Sequence, residues 1–137
     1  MSTAPAPRRL VEVSGAEALY LLEGSRTGRL VHVRNDTPVL RPAAHVLEYG
    51  HLVVRAPVPR PALPVGATVT YHVDEIRTEL GTGWSVSASG RFEFVSDPDE
   101  LAHYRRTLPG WTHGPHDTLL RLNPQTASGF RLTRAEA

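Results

Sequence analysis

The chain has 137 residues and a formal net charge of +1 at pH 7, which suits one domain and leaves no strong charge excess. It contains no cysteine, which excludes disulfides, thiolate nucleophiles, iron–sulfur clusters and zinc–thiolate sites. All 15 of its basic residues are arginines, and no stretch gathers them into a basic stripe, so nucleic-acid binding is not expected.

The N-terminus begins with a segment rich in proline and alanine. We expect residues 1–10 to be disordered and residues 11–137 to form a single domain. Ser14 and Glu17 form a capping-box pattern, which predicts a short helix over about 15–26. No signal-peptide pattern and no run of about 20 apolar residues is present, so we expect no membrane span and a cytoplasmic location.

Alternating apolar and polar residues dominate the rest of the chain, and this pattern is typical of half-buried strands. The segment 56–64 holds four prolines and is predicted to be a loop. Gly90 interrupts a long strand and predicts a bulge, and an Asn-Pro turn is expected to separate the last two strands. The predicted strands cover residues 28–34, 38–47, 51–55, 67–76, 84–95, 119–122 and 128–133.

A second helix start lies between the fifth and sixth strands. Asp97 is placed as the N-cap, Pro98 at the first helical position and Glu100 at the third, which predicts a helix running to about Arg106. Strands that follow one another in sequence and alternate in polarity favour antiparallel pairing. The order of elements therefore predicts a mainly β fold, a small antiparallel barrel with short helices.

Seven short motifs then occur in order along the chain: Gly28–Val33, Pro38-Val39, Val53–Arg55, Val73–Glu75, Gly83–Val86, Gly90-Arg91 and Val95–Pro98. Together they resemble flavin-nucleotide-binding split barrels of the pyridoxamine 5′-phosphate oxidase type. The resemblance covers about residues 14–132. It implies an FMN-binding split barrel with six antiparallel strands in a Greek-key-like order. It also implies a homodimer with FMN held in grooves between the two chains.

The resemblance assigns the flavin-binding residues by position. Arg55 takes the place of the strand-end arginine that holds the flavin phosphate, and Arg60 takes the place of a lysine in the next loop. Arg41 lies near the same groove and is a weaker candidate. The remaining positions that the resemblance places along the flavin ring are Pro42, Ala44, His45, Trp84 and Ser85. The leading function is therefore an FMN-dependent oxidoreductase that acts on a small molecule.

The phosphate loop departs from the family pattern. Residues 55–61 contain three prolines and no hydroxyl side chain, and proline supplies no N–H to a phosphate. One alternative is therefore a split barrel that has lost FMN and serves as a cofactor-free ligand-binding or accessory protein, or as a nonredox enzyme. The other is binding of the deazaflavin F420, whose anionic tail would use Arg55, Arg60 and Arg41.

Other polar residues give weaker signals. His45 is a candidate acid near neutral pH, although an edge-strand histidine facing solvent is the more common outcome. His72 is interpreted as structural, with a cavity-facing position left open. Trp84 is more often a core or interface anchor than a flavin contact.

The histidines of segment 113–117 lack a second ligand cluster, so no metal site is predicted. Segment 111–116 is interpreted instead as a flexible lip over the groove. Asp74 and Glu75 are adjacent acids on a strand, and such residues point to opposite faces, so they are not expected to act together on one substrate atom.

Overall fold

The computed structural model describes residues 8–134, and it confirms a mainly β fold. Two helices and seven strands follow one another in this order: β1 (Arg8–Val13), α1 (Gly15–Glu23), β2 (Thr27–Arg34), β3 (Thr37–Glu48), β4 (His51–Ala56), β5 (Thr68–Arg77), β6 (Thr82–Phe94), α2 (Pro98–Thr107) and β7 (Thr118–Arg134). Two short 3₁₀ turns lie at Arg60–Ala62 and Gly114–His116.

Six of the strands close into a ring, in the order β7-β4-β3-β2-β5-β6 and back to β7. Every pairing is antiparallel. The first half of β7 pairs with β4, and its second half pairs with β1, which lies outside the ring. A closed ring leaves few unpaired strand edges, and this arrangement confirms the predicted antiparallel barrel.

Both helices begin at the predicted caps. The Ser14 Oγ accepts a hydrogen bond from the Glu17 N–H at 3.1 Å, and Asp97 accepts from the Glu100 N–H at 3.0 Å. The Glu17 carboxylate does not reach back to complete a capping box; it accepts from Arg131 at 2.6 Å. Within residues 8–134, no helix has the length and apolar character needed to cross a membrane.

The prediction of two closing strands around an Asn-Pro turn is wrong, because β7 continues without a break through Asn123 and Pro124. The missing N–H of Pro124 is accommodated at a register shift, where it lies opposite Gly90 of β6. A Cβ on Gly90 would lie 1.8 Å from the Asn123 carbonyl oxygen, so only glycine allows this approach. The bulge predicted at Gly90 is thereby confirmed.

Two segments expected to be irregular contain regular structure. Residues 8–10 were included in the predicted disordered segment, but they belong to β1, which pairs with the extended second half of β7. The rest of that segment lies outside the described residues. The proline-rich loop contains the 3₁₀ turn Arg60–Ala62, and proline is tolerated in the first turn of a helix because its missing N–H has no helical partner there.

The barrel interior is apolar and α1 packs against it. Leu30, Tyr71, Leu120 and Leu122 are fully buried there with Leu22 of α1. A second cluster lies where α2 covers the outer face of β3, β4 and β7; it consists of Ala44, Val53, Val95, Tyr104, Leu108 and Leu119. The candidate functional site lies beyond this cluster, on the outer face of β2 and β5.

Candidate functional site

A band of polar side chains crosses from β5 to β6. Alternate residues of a strand point to the same face, and the register sets three polar residues of β5 directly opposite three serines of β6. The pairs are Thr70 with Ser89, His72 with Ser87, and Asp74 with Ser85. The sequence therefore places a continuous polar surface on one side of the barrel wall.

The imidazole of His72 is held at both nitrogens. Its Nε2 lies 3.1 Å from the Asp74 carboxylate and 3.3 Å from the Ser85 hydroxyl, and its Nδ1 lies 2.8 Å from the Ser87 hydroxyl. A carboxylate only accepts, so Nε2 carries the proton that is donated to Asp74. The Arg29 guanidinium lies 3.9 Å from the same carboxylate. Asp74 thus orients His72 and balances the charge of Arg29.

These residues border a groove of about 330 Å³. The Arg29 side chain is 55% exposed, so its guanidinium remains accessible to a molecule in the groove. Trp111, which is half exposed, contributes an aromatic surface from the loop that follows α2. We call this site the outer-face groove and define it by Thr27, Arg29, Pro42, His72, Asp74 and Trp111.

A second and larger cavity, of about 610 Å³, adjoins the outer-face groove and shares Thr27 with it. The predicted site residue His45 lies in its wall, together with Arg26, His103, Leu108 and Pro109. The segment following α2 therefore borders both cavities, since it also carries Trp111.

Arg55 is committed to partners within the protein. Its Nε and Nη2 each donate to one oxygen of Asp117 at 2.9 Å, which is a bidentate ion pair. Its Nη1 donates to the carbonyl oxygens of Leu108 at 2.7 Å and Arg105 at 3.2 Å. The two charged side chains are only 10% and 9% exposed. The geometry favours a structural role for Arg55 over the predicted phosphate contact.

The other two candidate arginines also lie away from the outer-face groove. The Arg60 guanidinium lies over the ring of Phe94, 4.3 Å from the ring centre, in a cation–π contact. Arg41 is exposed, and its Nη1 donates to the carbonyl oxygen of Leu40 at 2.9 Å. Arg60 also lines a small cavity of about 150 Å³ with Asp117, the partner of Arg55. Neither Arg55 nor Arg60 borders the outer-face groove.

His45 is buried and both of its ring nitrogens are used. Its Nε2 lies 3.0 Å from the Leu22 carbonyl oxygen, so this nitrogen donates, and Nδ1 accepts from the Tyr71 hydroxyl at 2.5 Å. Burial lowers the pKa of His45, against smaller opposing effects of its hydrogen bonds with Leu22 and Ser25. Burial also raises the pKa of Tyr71 above its usual range. The pair is neutral at pH 7, and its geometry favours a structural role.

Residues 14–131 match the family model described as pyridoxamine 5′-phosphate oxidase. The chain belongs to the pyridoxamine 5′-phosphate oxidase family. Its relative Rv0080, an uncharacterized protein of Mycobacterium tuberculosis, is 32% identical over 132 residues, which is 91% of this chain and 87% of that protein.

Solved structures share the fold of this family member. The FAD binding protein from Mycobacterium smegmatis has a TM-score of 0.65 at 24% identity, covering 91% of this chain and 98% of that chain. A FAD-binding protein from Mesorhizobium loti has a TM-score of 0.71 at 19% identity, covering 93% of this chain and 100% of that chain. At these identities the likeness shows the common split-barrel fold.

Among the positions that the family resemblance assigned to the flavin ring, the structure brings Pro42 and Ser85 to the polar band or the outer-face groove. Ala44 is fully buried against α2 instead. Trp84 lies on the opposite face of β6 from Ser85, beside α1, where it borders a cavity with Glu75. Adjacent strand residues cannot serve the same face, which separates the two predicted contacts.

The outer-face groove also contains Arg29, which the sequence did not single out, and Asp74, which was considered only as one of two adjacent acids. It contains Trp111 as well, from the segment predicted to form a lip over the groove. Two signals could have found the first two. Polar residues alternate along β5 and β6 with matching period, and Arg29 occupies the facing position on β2, directly opposite His72. Trp111 comes from segment 111–116, for which a position over the groove was predicted, and it borders the outer-face groove.

Proposed function

We propose that this chain binds a flavin in the outer-face groove, between two copies of the barrel, and acts as a redox protein on a small molecule. The observation that carries this proposal is the Arg29–Asp74–His72 network, which opens onto a groove bordered by Trp111. Family membership supports it, and so do the FAD-binding proteins that share the fold. The flavin, when bound, would supply the hydride chemistry.

The groove residues fit the ring system of a flavin. An isoalloxazine is flat and has one polar edge with carbonyl oxygens and an N–H. Arg29 offers N–H donors to such an edge, and the Asp74 carboxylate accepts from an N–H. Trp111 and Pro42 supply flat apolar surfaces on which a ring can pack. A site with a few polar groups on an apolar groove is typical of cofactor binding.

The predicted phosphate contacts do not fit a flavin phosphate in this structure. Arg55 already holds the Asp117 carboxylate, and Arg60 lies on Phe94. Ala56 follows Arg55 and carries no hydroxyl, and it is buried. We therefore assign no phosphate contact to these residues, and the proposal rests on the ring-binding half of the site.

Each residue of the network has a separate role in the proposal. Arg29 places a positive charge in the groove, which favours binding of an electron-rich group. Asp74 holds His72 in position and lies 3.9 Å from the Arg29 guanidinium. The His72 ring keeps a proton on Nε2 at the edge of the groove, where it can be shared with a bound molecule.

A second copy of the chain would complete the groove. The outer face of β2 and β3 carries Val33, which is 65% exposed, and Leu40, which is 53% exposed. These residues point to the same side as Arg29 and Pro42, because they lie at even spacing along paired strands. Covering an apolar surface next to a half-open site is what an isologous dimer would achieve.

The proposal is tested by the absorbance spectrum of the purified protein, with and without added FMN and, separately, F420, after passage through a desalting column. We expect a flavin band to remain with the protein. Arg29→Met should weaken flavin binding by about tenfold, the value of one charged hydrogen bond. Arg77→Met, at the exposed end of β5, is the matched control and should bind as the wild type does.

A cofactor-free ligand-binding protein is the second candidate, and the Arg55–Asp117 pair favours it. A protein that retains neither FMN nor F420 in this experiment would overturn the flavin proposal and support this candidate. Retention of F420 alone would replace the flavin by a deazaflavin in the same groove. Equal binding by wild type and Arg29→Met would show that the flavin lies elsewhere.

A further inference from the structure

The Asp117 carboxylate occupies the arginine that would otherwise be available to a phosphate. Its two oxygens take two parallel N–H bonds of Arg55, which is how a guanidinium also grips a phosphate. The remaining contacts of Arg55 run to two backbone carbonyl oxygens, so four of its hydrogen bonds stay within the protein. An anion from solution would have to displace a carboxylate that is already in place.

The loop after α2 also lies between the Arg55 guanidinium and the larger cavity, whereas Asp117 borders a small cavity of about 150 Å³ on the other side, with Arg60 and Arg105. A Cβ on Gly110 would lie 2.4 Å from the Arg55 Cζ, so the loop backbone lies directly against the guanidinium. The Leu108 carbonyl oxygen accepts from Arg55, while Leu108 itself lies in the wall of the larger cavity. The guanidinium is therefore behind the cavity wall.

The hydroxyl donor near this point is also occupied. The Thr118 Oγ1 donates to the Val58 carbonyl oxygen at 2.5 Å and is buried. The neighbouring positions 57, 59 and 61 are prolines, which have no N–H to offer. A phosphate dianion needs several donors, and here the Thr118 hydroxyl is already used and the three prolines supply no N–H.

From this geometry we infer that the chain binds flavins without recognising the terminal phosphate, because Asp117 replaces that phosphate as the internal anion of Arg55. The inference rests on the proposed flavin function and specifies that the site binds the ring system of the cofactor and not its phosphate. Its consequence is that riboflavin and FMN bind with similar affinity, since the ring system supplies the recognition in both.

The test is a pair of titrations on the full-length protein, with riboflavin and with FMN, followed by quenching of flavin fluorescence. A contact between one arginine and the flavin phosphate would raise the affinity for FMN over riboflavin by about tenfold or more. We therefore expect the two dissociation constants to agree within about threefold. A preference for FMN of tenfold or more would overturn the inference while leaving the proposed flavin function intact. Failure of both flavins to bind would overturn both.

A variant tests the role of Asp117 directly. Asp117→Asn keeps the shape of the side chain but removes its negative charge. The positive charge of Arg55 then has no carboxylate partner and is available to a phosphate. We expect its preference for FMN over riboflavin to rise by about tenfold relative to wild type. Glu79→Gln, an exposed carboxyl in the β5–β6 turn, is the control and should leave the ratio unchanged. An unchanged ratio in folded Asp117→Asn would overturn the inference. Should that variant not fold, the wild-type ratio decides alone.

Discussion

The same residue type can serve binding or stability, and in this barrel the partners decide which. Arg29 and Arg55 both lie on strands and both have a carboxylate partner. The Arg29 pair is loose and exposed, with 3.9 Å between Nη1 and the Asp74 oxygen, and such pairs contribute little to stability. The Arg55–Asp117 pair is buried and bidentate, so its loss is costly.

Asp117→Asn should therefore destabilise the fold by about 3 kcal/mol, because it leaves the buried Arg55 guanidinium without its counter-charge. The free energy of unfolding from urea denaturation measures this change. Glu79→Gln removes an exposed carboxyl and should change it by no more than about 0.5 kcal/mol. Equal free energies of unfolding for the two variants would show that the Arg55–Asp117 ion pair does not stabilise the fold.

His45 gives the fold a pH dependence whose sign follows from its burial. Burial lowers the folded-state pKa of His45 below the unfolded value of about 6.5, so the unfolded chain binds the extra proton first as the pH falls. Stability is then complete above about pH 6.5 and decreases as the pH drops from there toward the folded pKa. Urea unfolding at pH 7.5 and pH 5 should show this loss in wild type and a smaller loss in His45→Gln. His113→Gln, in an exposed loop, should keep the wild-type loss; a full loss in His45→Gln would rule out this origin.

Residue roles were harder to predict from the sequence than residue positions. Arg55 was placed at a strand end correctly, yet its partner Asp117 lies 62 residues further along the chain, and no local pattern links them. His45 was predicted to lie on an edge strand facing solvent or a ligand. Packing of α1 on the barrel buries it beneath Leu22, where it lines the larger cavity. Such long-range contacts arise only from the closed topology.

Among the structural elements, sequence patterns were reliable predictors wherever residues close together in the chain determine the conformation. The caps at Ser14 and Asp97 and the bulge at Gly90 follow from side-chain and backbone chemistry within a few residues, and all three are confirmed. The interruption predicted at Asn123-Pro124 failed because the partner strand absorbs it. Pro124 was predicted to end a strand. The bulge at Gly90 of β6 accommodates it instead, so β7 continues as one long strand with a local shift in register.

The loop between α2 and β7 has no room for a side chain at Gly110. Gly110→Ala adds a Cβ that would meet the Arg55 guanidinium at 2.4 Å, so the loop or the ion pair must shift. We expect a destabilisation of about 1–3 kcal/mol, typical of overpacking, measured by thermal or urea unfolding. At Gly24, an added Cβ meets nothing nearer than 3.7 Å, so Gly24→Ala is the matched control and should be nearly neutral. A neutral Gly110→Ala would contradict the close packing of this loop.

In the molecule as a whole, one side of the barrel is covered by a helix and the opposite side is not. Helix α2 covers β3, β4 and β7 and builds a second apolar cluster there. The outer face of β2 and of the first half of β3 keeps Val33 and Leu40 exposed beside the groove. This asymmetry leaves an apolar face and an open polar site next to each other, which a second copy would cover together.

Leu40→Asp should convert the proposed dimer into a monomer, because a charge would be buried at the centre of the apolar face. Size-exclusion chromatography with light scattering at micromolar concentration measures the change in mass. Val65→Asp, at an exposed position in the loop before β5, is the control and should remain dimeric. A monomeric wild-type protein would contradict the two-chain groove.

A crystal structure of the protein grown with riboflavin shows directly whether the outer-face groove holds a flavin ring. We expect flavin density between Arg29 and Trp111, with the polar edge of the ring within hydrogen-bonding distance of Arg29 or Asp74. Flavin density beside Trp84, on the other face of β6, or a groove without flavin at a saturating concentration, would contradict it.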